Sequence, residues 1–337
     1  MPGLELLQFD FMQRALIAAL LVGVTAPSVG IYLVQRRLAL IGDGLGHVAL
    51  TGVAMGVLTG TAPVLTALAC AVAGAVAVEL VRVRGRASAD VLLAVLFYGG
   101  IAGGVVLIGL SPEGTPANLT AYLFGAITTT TTFDLLVFAV LSVGVLAVTV
   151  GLAPRLFAVS NDEEYARASG MNVAGTNVLL AVLTAATVVV SMRVVGLLLI
   201  SALMIVPNAV AQQVADSFRR SLLIAVAVGV LVSVTGTYAS YYTNTAPGGT
   251  IVLLAIAVFL AATAWAGVRR TRHGRLHHTP AEHGHEHGPG CGHPAVPHGD
   301  HVDYLHDGHR HAIHGAHYDD HGIDRTPVPA ETPQEHP

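Results

Sequence analysis

Lysine is absent from the chain: all 17 basic residues among its 337 are arginine. That excludes a G-x-x-x-x-G-K-[ST] phosphate-binding loop, which needs its lysine. Any ATP-driven work would therefore fall to another chain. Charge of either sign is scarce, 11% of residues against 53% hydrophobic, and the mean hydropathy is +0.65. This composition excludes an ordinary soluble domain and describes a polytopic membrane protein. With only two cysteines, Cys70 in an apolar run and Cys291 near the C-terminus, a disulfide-built secreted fold is excluded as well. No short apolar stretch with a small-residue cleavage site opens the chain, so its first apolar run reads as a retained span rather than a signal peptide.

What is present is a series of long apolar runs. A span needs about 17–25 apolar residues. Such runs fall at 11–34, 44–60, 63–81, 88–110, 132–153, 174–192, 194–211, 221–242 and 249–268. Arginines cluster after alternate runs: Arg36 and Arg37, then Arg82, Arg84 and Arg86, then Arg155 and Arg167, then Arg219 and Arg220, and last Arg269, Arg270, Arg272 and Arg275. Basic loops stay cytoplasmic, so nine spans are expected, with the N-terminus outside and the C-terminus inside. Arg193 is the exception. If 174–192 and 194–211 form one bent element, eight spans remain and the tail lies outside. The stretch 117–131 is too short and polar for a span and reads as a re-entrant or surface helix.

Asp43 and His47 lie inside apolar sequence, and His47 is the only histidine before residue 273. Their i, i+4 spacing stacks both on one helix face. Ionisable groups within a membrane segment are costly and mark a pathway by default. A carboxylate and an imidazole suit a divalent transition metal, although two ligands do not complete a site. Glu79, Asp90 and Asp134 sit near span ends and read as structural. Gly44, Gly52, Gly56 and Gly60, with Gly99-Gly100 and Gly103-Gly104, form small-residue stripes that allow close helix approach.

Between two runs, Ser160 or Asn161 can cap a helix whose first turn holds Asp162, Glu163 and Glu164, and Gly170 is placed to stop it. From residue 271 to 337 the composition becomes His, Gly, Pro and Asp, which cannot bury enough surface to fold alone and predicts a disordered tail. The tail holds 16 of the 17 histidines. His283, His285 and His287 alternate, as do His309 and His311, and imidazoles at this density bind zinc, nickel or copper without a fixed fold.

Three stretches together resemble the membrane permeases of zinc/manganese/iron ABC importers: Gln35 to His47, Asp162 to Gly170, and Val195 to Pro207 followed by Ala246 to Val252. The likeness covers residues 11–268. It implies an all-α, type II ABC importer-like permease domain over residues 1–270, with 160–172 as the cytoplasmic coupling helix. It further implies Asp43 and His47 on the metal path and Asp162, Glu163, Glu164, Ala166 and Gly170 in ATPase coupling. Expected partners are an ABC ATPase, an extracytoplasmic metal-binding protein, a second copy of the chain and membrane lipid, with no nucleic acid. The chain itself is expected to catalyse nothing and to hold no cofactor. The transported ion is expected to be zinc, with manganese or iron as alternatives, in a bacterial plasma membrane. A proton-coupled secondary carrier is the alternative, but it would call for a second Asp/His set on another span. A permease for metal chelates would leave Asp43 and His47 unexplained.

Overall fold

A computed structural model describes residues 9–38, 40–85, 89–110, 122–125, 131–192, 196–197, 200–274, 277–278, 291–298, 301–306, 309–314 and 317–320. The chain divides into two compact units, Met1–Thr263 and Ala264–Pro337. Helices account for the first. In chain order they are α1 (Asp10–Gln35), α2 (Ile41–Leu58), α3 (Pro63–Val83), α4 (Ala89–Gly109), α5 (Thr132–Gly151), α6 (Ala153–Asn161), α7 (Glu163–Ala168), α8 (Val173–Met192), α9 (Ile200–Val214), α10 (Phe218–Thr243) and α11 (Pro247–Gly274), the last running on into the second unit.

Among the described residues eight helices are long and apolar enough to cross a membrane. The one other expected run, 194–211, appears as the separate helix α9, which has 15 residues. At 1.5 Å per residue that is about 22 Å, short of a hydrocarbon core of about 30 Å. It compensates by burial: Ile200, Leu203 and Met204 are shielded within the bundle.

The bundle is layered by burial. α1 and α8 are its interior, each with 72% of the spanning window buried, whereas α4 and α11 are its rim at 17%. Backbones touch where glycines meet. A Cβ on Gly23 of α1 would lie 2.8 Å from the Gly229 carbonyl oxygen of α10. Pro27, inside α1, cannot donate to the carbonyl one turn earlier. The crossing is fastened instead by Asn208 of α9, whose Nδ2 donates to the Pro27 carbonyl at 3.0 Å and to that of Met204 at 2.8 Å. Tyr32 donates its hydroxyl to the Thr149 carbonyl of α5 at 3.1 Å.

Residues 122–124 form a helical turn. The Leu197 amide donates to the Tyr122 carbonyl at 2.9 Å, and Gly196 (φ +87°) sits on the backbone of Leu123 to Gly125. Residues 117–121 and 126–130 of the stretch expected as a re-entrant or surface helix lie outside the described residues.

In the second unit, β1 (His277–His278), β2 (Ala295–His298), β3 (His301–His306), β4 (His309–His314) and β5 (His317–Asp320) form an antiparallel sheet in the order β1-β5-β4-β3-β2. The sequence predicts little for this segment to bury. Among its described side chains only Asp303 and Tyr304 are buried. Backbone hydrogen bonding, which asks little of the side chains, pairs the strands.

Candidate functional site

α2 begins one turn after the double arginine and carries Asp43 in its first turn. His47 follows one turn later and is buried. α2 lies in the cleft between α3 and α4 because its glycines admit both. A Cβ on Gly52 or Gly56 would strike the start of α3 at Ala67 or Pro63, and one on Gly100 of α4 would come within 2.6 Å of the His47 carbonyl carbon and 2.9 Å of its Cβ. Thr51 donates its hydroxyl to the Gly100 carbonyl at 2.8 Å, tying α2 to α4 at that crossing. The small-residue stripes thus place the ionisable pair.

Asp43 opens on a cavity of about 460 Å³ lined with Leu40, Leu93, Ala94, Phe97 and Tyr98. The Phe97 ring meets the His47 imidazole edge to face, centroids 4.5 Å apart, and among the described residues the buried Nδ1 of His47 has no hydrogen-bond partner. Ser201 of α9, also buried with an unpartnered hydroxyl, faces Gly42. Among the described residues no group of three or more His, Cys, Asp or Glu side chains comes together. Asp43 and His47 thus have no third such side chain beside them among the described residues. A carboxylate and an unpaired ring nitrogen on successive turns can hold a divalent ion weakly, as a conducting path requires.

A second constellation, which no local sequence signal announces, lies at the C-terminal end of α1. Glu163, the first residue of α7, accepts on a single oxygen, Oε1, from Arg36 at the end of α1, from Arg82 Nη2 at the end of α3 (3.3 Å) and from Asn177 Nδ2 on α8 (3.1 Å). Arg82 is shared with the buried Glu79, at 2.7 Å from Nη2 and 3.0 Å from Nε. Burial alone would raise the Glu163 pKa, but Arg36 and Arg82 outweigh it and hold the carboxyl below its ordinary value. Burial and the neighbouring Arg82 lower that of Arg36, opposed by Glu163 and Glu79. Arginines placed as topology markers are thus also structural: they bring the ends of α1 and α3 and the start of α7 to one place, as expected if these clusters share one side.

One expectation about α7 needs correction. Its N-cap is Asp162, whose side chain accepts from the Tyr165 amide at 2.9 Å. Ser160 and Asn161 instead end α6, which starts with a proline in its first turn and continues through both residues because Leu156, Val159 and Ser160 are buried. Gly170 does stop the helix, at φ +76°, with the Met171 amide donating to the Ala166 carbonyl. Ala166 is buried with Val159 and Val173 in a small apolar cluster. Glu164 and Tyr165 are exposed.

The remaining candidates are placed as follows. Asp134 closes a capping box with Thr131, and Glu79 pairs with Arg82, both structural. The Asp90 side chain lies outside the described residues, as do His283, His285 and His287. His309 and His311 are in β4, with their backbones opposite His306 and Tyr304; their side chains are outside the description.

Among the described residues, eight helices long enough to span, an ionisable pair on α2 beside α4 and a short capped helix fastened to the helix ends define a multi-pass membrane permease. Residues 8–266 match the ABC 3 transport family, and the chain belongs to it. It is a membrane subunit of an ABC system and not an enzyme. It is similar to a protein of Treponema pallidum described as a probable metal transport system membrane protein, 33% identical over 79% of this chain and 100% of that one. It also resembles the manganese import system permease protein ScaB of Streptococcus gordonii, 31% identical over 75% of this chain and 90% of that one. Among solved structures, PsaBC from Streptococcus pneumoniae in complex with Fab superposes with a TM-score of 0.70 at 30% identity, over 77% of this chain and 94% of that one.

Proposed function

We propose that the chain is the membrane-spanning permease of an ATP-driven importer of a divalent transition metal. It works as a homodimer with a separate ATPase and an extracytoplasmic metal-binding protein in a bacterial plasma membrane. The observation that carries this reading is the Asp43/His47 pair on successive turns of α2, with a cavity beside it and the His47 Nδ1 unpaired among the described residues. Zinc usually takes four ligands, so the set calls for more donors, from water, backbone or a second copy of α2. α7 supports the ATPase contact: its Tyr165 face is exposed while its base is fastened to α1, α3 and α8. Metal would enter as cargo, with Asp43 and His47 holding it between release from the binding protein and exit.

Zinc is the ion we assign, because the tail concentrates imidazoles. Manganese is the second reading, favoured by the names of relatives such as ScaB. The test is radiometal uptake by cells carrying Asp43→Ala or His47→Ala, with membrane abundance followed by immunoblot. Either variant should reach the membrane and lose more than about 90% of uptake, about the factor of ten that 1.4 kcal/mol represents. Undiminished uptake would sink the assignment, and competition between zinc and manganese in the parent strain identifies the ion. Active uptake by the purified chain without an ATPase would point to the secondary carrier.

A further inference from the structure

A groove of about 500 Å³ runs along the outer side of α3 and α4, separate from the cavity at Asp43. Its walls are Cys70, Ala77 and Val81 of α3 and Leu92 and Val95 of α4, and its floor includes Val48 of α2, the residue after His47. α3 and α4 each pack closely on α2 and only loosely on one another, which leaves a slot between them.

Two properties of the groove identify its occupant. The first is length. From Cys70 to Val81 the α3 wall extends about 16 Å at 1.5 Å per residue, against a leaflet that is half of a hydrocarbon core of about 30 Å. The second is charge at one end only. Ala77, Val81 and Arg84 follow one another at helical spacing, so the apolar wall runs directly into an arginine at the C-cap of α3. Arg84 is exposed, and among the described residues no carboxylate pairs with it, since the nearby Glu79 is engaged by Arg82. A slot one leaflet long that ends at a cation with no counter-charge among the described residues matches a lipid tail with an anionic phosphate above it.

We infer that this groove is a binding site for one anionic glycerophospholipid of the arginine-side leaflet, with an acyl chain between α3 and α4 and its phosphate at Arg84. The chain would pack on Val48 and so bear on the helix that carries His47.

The test is native mass spectrometry of the full-length protein in mild detergent, titrated with phosphatidylglycerol or with zwitterionic phosphatidylcholine. Wild type should retain phosphatidylglycerol in preference to phosphatidylcholine. Arg84→Gln should lower that preference about fivefold, the worth of one surface arginine toward an anionic headgroup. Ala77→Phe, which fills the groove, should abolish retention of the tightly held lipid. As a second readout, bimane attached at Cys70 in a Cys291→Ser background should be quenched by phosphatidylglycerol carrying brominated acyl chains, and Ala77→Phe should relieve the quenching. Equal phosphatidylglycerol retention by wild type and both variants would overturn the inference. So would loss of self-association in Ala77→Phe with lipid retention unchanged, which would give the groove to a second copy. Arg84→Gln alters only an exposed side chain and keeps the test valid if Ala77→Phe does not fold.

Discussion

Gly100 carries more positional information than its lack of a side chain suggests. Its backbone rests on His47, and an added methyl would fall 2.6 Å from the His47 carbonyl carbon and from the Val48 nitrogen. Neither atom can give way without moving α2. Gly100→Ala should cost about 1–3 kcal/mol, the usual range for overpacking, and shift the imidazole away from Phe97. The expected outcome is a lower melting temperature in detergent together with reduced metal uptake; an unchanged melting temperature would show that the helices separate freely there. The neighbouring Gly99, whose added methyl meets nothing within 4 Å, is the matched control, and Gly99→Ala should be nearly silent. Two adjacent glycines look alike in sequence, and only packing tells them apart.

Among the elements, α7 is legible from sequence in outline and differs from it in detail. Its acidic first turn and terminating glycine are local features, readable from a few residues. Its cap moved to Asp162 because burial of one face prolongs α6, and burial depends on residues far away. Glu163 shows the same limit more sharply, since its arginine partners are separated from it by 127 and 81 residues and nothing in the local sequence couples them. Glu163→Gln leaves the Arg36 side chain, 6% exposed, without its counter-charge. It should destabilise the protein by about 3 kcal/mol, the low end for breaking a buried pair. The pH dependence follows from the direction of the shift. The folded-state pKa of Glu163 is depressed from 4.5, so its contribution is fully present above that value and is lost as pH falls through the lower folded-state value. The melting-temperature gap between wild type and Glu163→Gln should therefore stay constant from pH 7 to about pH 5 and narrow below about 4.5. A gap that narrows already between pH 7 and 6 would assign the effect to another group.

For the whole molecule, long apolar runs made the spanning helices readable, because bilayer thickness alone sets their length. The one run that came out short, α9, is buried by other helices, and hydropathy does not distinguish a helix buried in protein from one facing lipid. The tail is the region where composition says most and structure adds least, since its strands are paired through backbone. Deleting residues 273–337 should leave transport capacity within about twofold while changing the metal concentration at which uptake is half-maximal, as expected if sensing and conduction are separate. Loss of all uptake from a properly inserted deletion would make the tail part of the path. The six-residue α7 also has a mechanical consequence. A rod about 9 Å long, fastened at its start through Glu163 and ended by Gly170, is too short to flex. A force applied at Tyr165 must therefore arrive at Arg36 as a rotation of the whole rod, one turn of chain before α2 begins.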